Sequence, residues 1–177
     1  DFVSYLNLLN LMREAGCHTI EFGVESGCQR ILDSMRKNVT KERVREIIDQ
    51  TTRAGIITKA NFILGHLGET HDSIMETINF ASSLNVNYVQ HTHLVPLPGS
   101  EIYETANRLG TFDPSWSKMN TFLINFIPFG FTRRDLVWYS KRFWRAFYLR
   151  PRIIWQEFQK IHSWEGVYRL WLAIKSF

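Results

Sequence analysis

The chain has 177 residues, 45% hydrophobic and 21% charged, enough for one domain with a core and too apolar for a disordered segment. No uninterrupted apolar stretch approaches the roughly 20 residues that span a membrane, and no signal-peptide pattern occurs. Cys17 and Cys28 have neither metal-ligand spacing nor a disulfide framework, which fits a reducing cytoplasm. The net charge of +4 is unevenly placed. Residues 1–130 carry 11 Lys and Arg against 14 Asp and Glu, whereas residues 131–177 carry 10 against 3 together with five of the six tryptophans. Because the first residue is Asp1 rather than Met, a longer parent protein is expected.

In chain order the sequence repeats one unit. "NLLNLMREAG" predicts a helix with Leu8, Leu9, Met12 and Ala15 on one stripe, closed by Gly16. The strand "HTIEFGV" follows at once, with Glu25 just past its apolar part and glycines at 23 and 27 opening space beside it. A short helix, "CQRILDSM", precedes a longer one, "TKERVREIIDQTTRAG", capped by Thr40 and ended by Gly55. Then come the strand "IITKANFILG", a helix from Thr70 to Asn85, the strand "VNYVQHTHLV" and the helix "SEIYETANRLG". Strands alternating with amphipathic helices imply a parallel sheet with right-handed crossovers. Three strands do not close a barrel. The expected fold is therefore α/β: the C-terminal three βα units of a partial (βα) barrel over residues 1–112, followed by an all-helical, basic and aromatic-rich extension over residues 113–177.

In such a layout the loops after the strands share one rim, where ligands bind. Here they are "ESG" (25–27), "GHLGET" (65–70) and "PLPGS" (96–100). A lone Glu25 reads as readily as an acid at a helix N-terminus as it does as a ribose-gripping carboxylate. Gly65 and Gly68 leave backbone bare, either against a planar ring or toward an anion; alone they are only a flexible loop. Pro96, Pro98 and Gly99 read mainly as a stiff turn. Lys37 is placed to reach a carboxylate ligand on the rim, and on its own reads as a solvated lysine. Gln90, His91 and His93 are candidate lining of a substrate cavity, with the two histidines on one strand face and Gln90 on the other. Two histidines without a third ligand do not make a metal site, and a satisfied buried histidine is the plainer reading.

Together, "AGCHTIEFGVESGCQRILDSMRKNVT", "AGIITKANFILGHLGET" and "LVPLPGSEIYE" resemble, in order, the fourth, fifth and sixth strands of radical S-adenosylmethionine (radical SAM) enzymes. The subgroup with an N-terminal cobalamin-binding domain is the most similar, and "FYLRPRII" resembles its helical extension. The resemblance implies that Glu25, with Ser26 beside it, binds the ribose of S-adenosylmethionine, and that Lys37 contacts its carboxylate or ribose. Ile63 and Gly65 would pack on the adenine, with Val95 and Pro96 bordering it. It also implies a 4Fe–4S cluster, with ligands expected upstream of this chain, and cobalamin in a domain this chain does not contain. Two departures stand out: Leu67 replaces the usual loop proline, and the CxxxCxxC cluster motif is absent. No catalytic residue and no metal ligand is assigned in these 177 residues.

In residues 131–177, Trp, Tyr, Phe and Arg interleave on predicted helices. Thr132 and Asp135 are spaced as a capping box, Arg150-Pro151 is a break, and Ser163 caps a last helix. Packing on the barrel with arginines outside is the plain reading. Peripheral contact with a membrane is the functional one, and nucleic acid is disfavoured. The expected function is that part of a radical SAM enzyme which cleaves S-adenosylmethionine reductively to start radical chemistry, methylation or ring formation, on a small-molecule or lipid-like substrate. The isolated chain, without the cluster motif, would be inactive. The alternatives are a non-enzymatic S-adenosylmethionine-binding or assembly module and a barrel fragment acting on a phosphorylated metabolite. A cytoplasmic location, with or without membrane association, is expected.

Overall fold

Local chemistry sets the helix starts in the computed structural model, which describes residues 2–159. Helix α1 spans Phe2–Glu14 and α2 the short Gln29–Ser34. Thr40 caps α3 (Lys41–Arg53) by accepting from Arg43 N at 3.2 Å. Thr70 and Ser73 form a reciprocal capping box on α4 (His71–Ser83), and Ser100 caps α5 (Glu101–Leu109). Each such cap satisfies an N–H that the first helical turn leaves without a backbone partner. Helix α4 stops at Ser83, two residues short of the expected Asn85, because Leu84 is already extended.

Strands β1 (Thr19–Glu25), β2 (Ile57–Leu64) and β3 (Tyr88–His93) make one parallel sheet in the order β1-β2-β3. Phe22 faces Ala60, and Phe62 faces His91. Thr58, Ala60, Phe62 and Leu64 alternate as buried positions, the period a strand gives when one face is covered. They meet Val44 and Ile48 of α3 and Ile74, Ile78 and Ala81 of α4 in a single core. The opposite face carries Glu21, Lys59 and Asn61. Lys59 Nζ donates to Glu21 Oε1 and Asn61 Nδ2 to Glu21 Oε2, both at 3.2 Å.

The segment expected to be all-helical opens otherwise. Gly110–Phe112 (β4) pairs antiparallel with Phe126–Pro128 (β5), bracketing a 3-10 turn at Trp116–Lys118. A Cβ on Gly110 would sit 2.2 Å from Ile127 O, so only glycine allows the strands to approach this closely. Helix α6 (Arg133–Tyr148) starts on the expected Thr132–Asp135 capping box, and α7 (Pro151–Gln159) restarts at Pro151. Helix α6 shares the core of the sheet through Leu136, Tyr139, Phe143 and Phe147, with the Phe62 and Phe143 ring centroids 5.4 Å apart. Burying each such side chain contributes about 1.5–3 kcal/mol. Much of the aromatic content therefore goes into packing, as the plain reading expects. The cap expected at Ser163 lies outside the described residues.

Candidate functional site

Glu25 sits where β1 breaks its own register. Pairing slips between Gly23 and Glu25, and Glu25 takes φ +68°. For a non-glycine residue this left-handed backbone costs of the order of 1–3 kcal/mol and clusters at ligand clamps. The slip carries the carboxylate back over Gly23, where a Cβ would lie 2.6 Å from Glu25 Oε1. Gly23 does open the space beside Glu25. Gly27 does not: its bare backbone lies against α4, where a Cβ would meet Phe80 Cβ at 2.5 Å and Thr77 Cα at 2.7 Å.

Lys37 Nζ donates to Glu25 Oε1 at 3.0 Å. The lysine expected to reach a ligand carboxylate thus holds the protein's own carboxylate in place, and its Oε2 is left to accept from a ligand. Ser26 is fully buried. Its hydroxyl bonds Thr77 Oγ1 at 3.0 Å and accepts from Cys28 N at 3.1 Å, so it ties the loop to α4 rather than facing the rim.

The second loop is built around Glu69. One oxygen, Oε2, accepts from Gly65 N at 2.7 Å and His66 N at 2.9 Å. The Gly65 and His66 N–H groups are therefore taken by the protein, so Gly65 does not offer its amide to an anion. What remains is a flat turn, Gly65 at φ +81° and Gly68 at φ +75°, beside half-buried Ile63. Burial lifts the Glu69 carboxyl to about 7 against the pull of the two amides and nearby Arg30. Burial likewise lowers the His66 imidazole. The role of Glu69 escaped the reading of the sequence, although "GET" four residues past Gly65 carried its signal. Leu94 N, donating to Leu64 O at 3.3 Å, lays the third loop beside the second; in it Val95 is half-buried and Pro96 buried.

The sheet separates the three residues expected in one substrate cavity. Gln90 lies beside Asn61 on the face of Glu21 and Lys59. That face also holds Asn61 Oδ1, buried and unpartnered. His91 and His93 lie on the other face, under α6, with the His91 and Phe143 ring centroids 5.1 Å apart. They are not satisfied core histidines either: both nitrogens of His91 and Nδ1 of His93 lack hydrogen-bond partners.

The rim thus offers a carboxylate acceptor, an adjacent cation and a flat glycine turn, which match a ribose diol, an acid group and a planar base. It offers no thiolate: Cys28 is buried, and Cys17 precedes β1 at the opposite end of the sheet. Among the described residues no cluster of three or more His, Cys, Asp or Glu is placed to hold a metal ion.

The radical SAM superfamily model matches residues 3–81. An uncharacterised methyltransferase of Pyrococcus horikoshii is 31% identical over 155 residues, which cover 86% of this chain and 33% of that protein. The anaerobic magnesium-protoporphyrin IX monomethyl ester cyclase of Rubrivivax gelatinosus is 28% identical over 154 residues, covering 86% of this chain and 27% of that protein. Among solved structures, the Escherichia coli coproporphyrinogen III oxidase, a radical SAM enzyme, superposes with TM-score 0.52 at 16% identity over 77% of this chain and 30% of its own. That likeness speaks for the fold. The chain spans about a third of the length of the curated relatives it matches.

Proposed function

With residues 3–81 belonging to the radical SAM superfamily, we propose that this chain supplies the S-adenosylmethionine rim of a radical SAM enzyme of the methyltransferase and cyclase kind. The observation that carries the reading is Glu25, held by Lys37 in a left-handed backbone over a glycine. Oε2 of Glu25 accepts from the ribose hydroxyls. Lys37 neutralises the pair and faces the acid end of the methionine. The turn that Glu69 holds rigid lies flat on the adenine beside Ile63, with Val95 and Pro96 at its border. A bound cluster supplies the electron for reductive cleavage; its thiolates come from outside these residues, as does any cobalamin. This chain's own work is binding and orientation, the usual protein share when a cofactor carries the hard chemistry. The substrate is a small organic molecule, received on the face of Asn61 and Gln90.

Calorimetry with S-adenosylmethionine on the full-length protein tests the reading. Glu25→Ala is expected to weaken binding at least tenfold, the loss of a charge-assisted hydrogen bond worth about 1.5–3 kcal/mol. Unchanged affinity refutes the assignment.

A second contact is favoured by what α6 and α7 leave outside. Trp138, Trp155 and Phe158 are exposed among Arg134, Lys141, Arg142 and Arg145, a combination suited to the interface of an anionic bilayer. No helix among the described residues is long and apolar enough to cross a membrane, so the contact is peripheral. Flotation of the full-length protein with phosphatidylglycerol vesicles, and its loss in Trp155→Ala with Phe158→Ala, is the expected result. Absence of co-flotation removes this contact.

A further inference from the structure

On the face of the sheet that α6 covers, β3, α6 and the segment 122–124 line an open cavity of about 460 Å³, within the range of small-molecule sites. Its floor is made by His91 and His93, 93% and 95% buried. The histidine rings stand edge to face, centroids 5.4 Å apart, with Trp144 5.4 Å from His91. Ser140 Oγ gives its proton to Leu136 O at 2.8 Å and so accepts from His93 Nε2 at 3.2 Å. That fixes the His93 tautomer and leaves Nδ1 an acceptor with nothing to accept from. His91 is left with one donor and one acceptor, both unmatched. The backbones of Thr92 and Leu64 reach the two rings as weak hydrogen-bond partners, outside full hydrogen-bond geometry.

Buried polar nitrogens without partners are costly, and three of them lie on the two rings that floor one cavity; a guest seated there completes them once the rings turn toward it. The walls say what kind. Trp144 and Phe122 are aromatic, Arg133 and Lys141 are cationic, and no acidic side chain lines the space. Arg133 is anchored by donating to Ile124 O at 2.7 Å, and His93 N donates to Thr121 O at 2.7 Å, which pins the same segment.

We propose that this cavity binds an organic acid with a flat apolar body and at least one hydroxyl or N–H group. The acid group faces Arg133 and Lys141, the body lies on Trp144, and the polar edge meets His91 and His93. The inference does not rest on the rim reading, since none of the residues that line this cavity is one assigned to the rim.

Calorimetric titration of 6-hydroxy-2-naphthoate into the full-length protein tests it. Saturable binding, one per chain and at least tenfold tighter than 2-naphthol, which lacks the acid, is expected. His91→Phe should weaken it at least tenfold. Val137→Trp fills the mouth of the cavity from an exposed position on α6, where folding tolerates change, and should abolish it. Absence of saturable binding, equal affinity for 2-naphthol, or binding undiminished in Val137→Trp overturns the proposal.

Discussion

At Glu25 two demands oppose each other, and one substitution separates them. The left-handed backbone costs of the order of 1–3 kcal/mol, whereas glycine adopts it freely and loses roughly 0.5–1 kcal/mol in chain entropy instead. The ion pair with Lys37 is partly exposed and contributes little to stability. Glu25→Gly is therefore expected to raise stability by about 1 kcal/mol in urea unfolding while S-adenosylmethionine affinity falls at least tenfold. A variant that loses stability would show that the backbone at 25 is not strained. The placement of Glu25 past a strand end, over the space that Gly23 leaves, was legible in the sequence. Its strain was not, because a slip in pairing register depends on where β2 sits. Nor was the burial of Ser26, whose partner Thr77 lies 51 residues away.

Elements were the most legible scale, because caps and periodicity are local. Thr40, Thr70, Ser100 and the Thr132–Asp135 pair all cap as their spacing predicts. The β4–β5 ribbon was not legible: three-residue strands carry too little alternation, and Gly110 reads as a helix end until Ile127 is seen against it. Gly27 is an element-scale residue of the same kind. A methyl group added there would lie under 3 Å from Phe80 Cβ and the α4 backbone, so Gly27→Ala must push α4 off the sheet. The expected cost is about 1–3 kcal/mol, read as a lowered urea midpoint with unchanged slope. At the turn 65–69, Glu69→Ala leaves two buried N–H groups unpaired and should lose about 1–3 kcal/mol for each. Glu69→Gln keeps an acceptor and should retain most of the stability at neutral pH.

The whole molecule joins two opposed sets of buried titratable groups that only the tertiary structure sets. Sequence order placed the loops on one rim, but the packing of α6 on the sheet, and so the burial of His91 and His93, comes from contacts across some fifty residues. Burial lowers His91 to about 3, helped by His93, and lowers His93 to about 4, helped by Arg133. As pH falls below 6.5 the unfolded chain takes up two protons that the native histidines refuse, so stability drops. Glu69 acts in the opposite sense. Its carboxyl, raised to about 7, keeps a proton in the native state that the unfolded chain releases above 4.5, so stability drops as pH rises from 4.5 to 7. Between pH 4.5 and 6.5 the two histidine protons outweigh the single carboxyl proton. Each uncompensated proton is worth about 1.4 kcal/mol per pH unit, so stability is expected to rise at about that slope and to peak near pH 6.5. Urea unfolding across pH 4.5–8 measures it. Glu69→Gln should roughly double the slope below pH 6.5 and flatten the decline above it. The double substitution His91→Phe with His93→Phe should remove most of the rise below pH 6.5, leaving the raised Glu69 carboxyl opposed only by His66, which burial also lowers. A wild-type profile flat across this window would mean that neither site is closed to water as the packing of α6 and the turn at 65–69 requires.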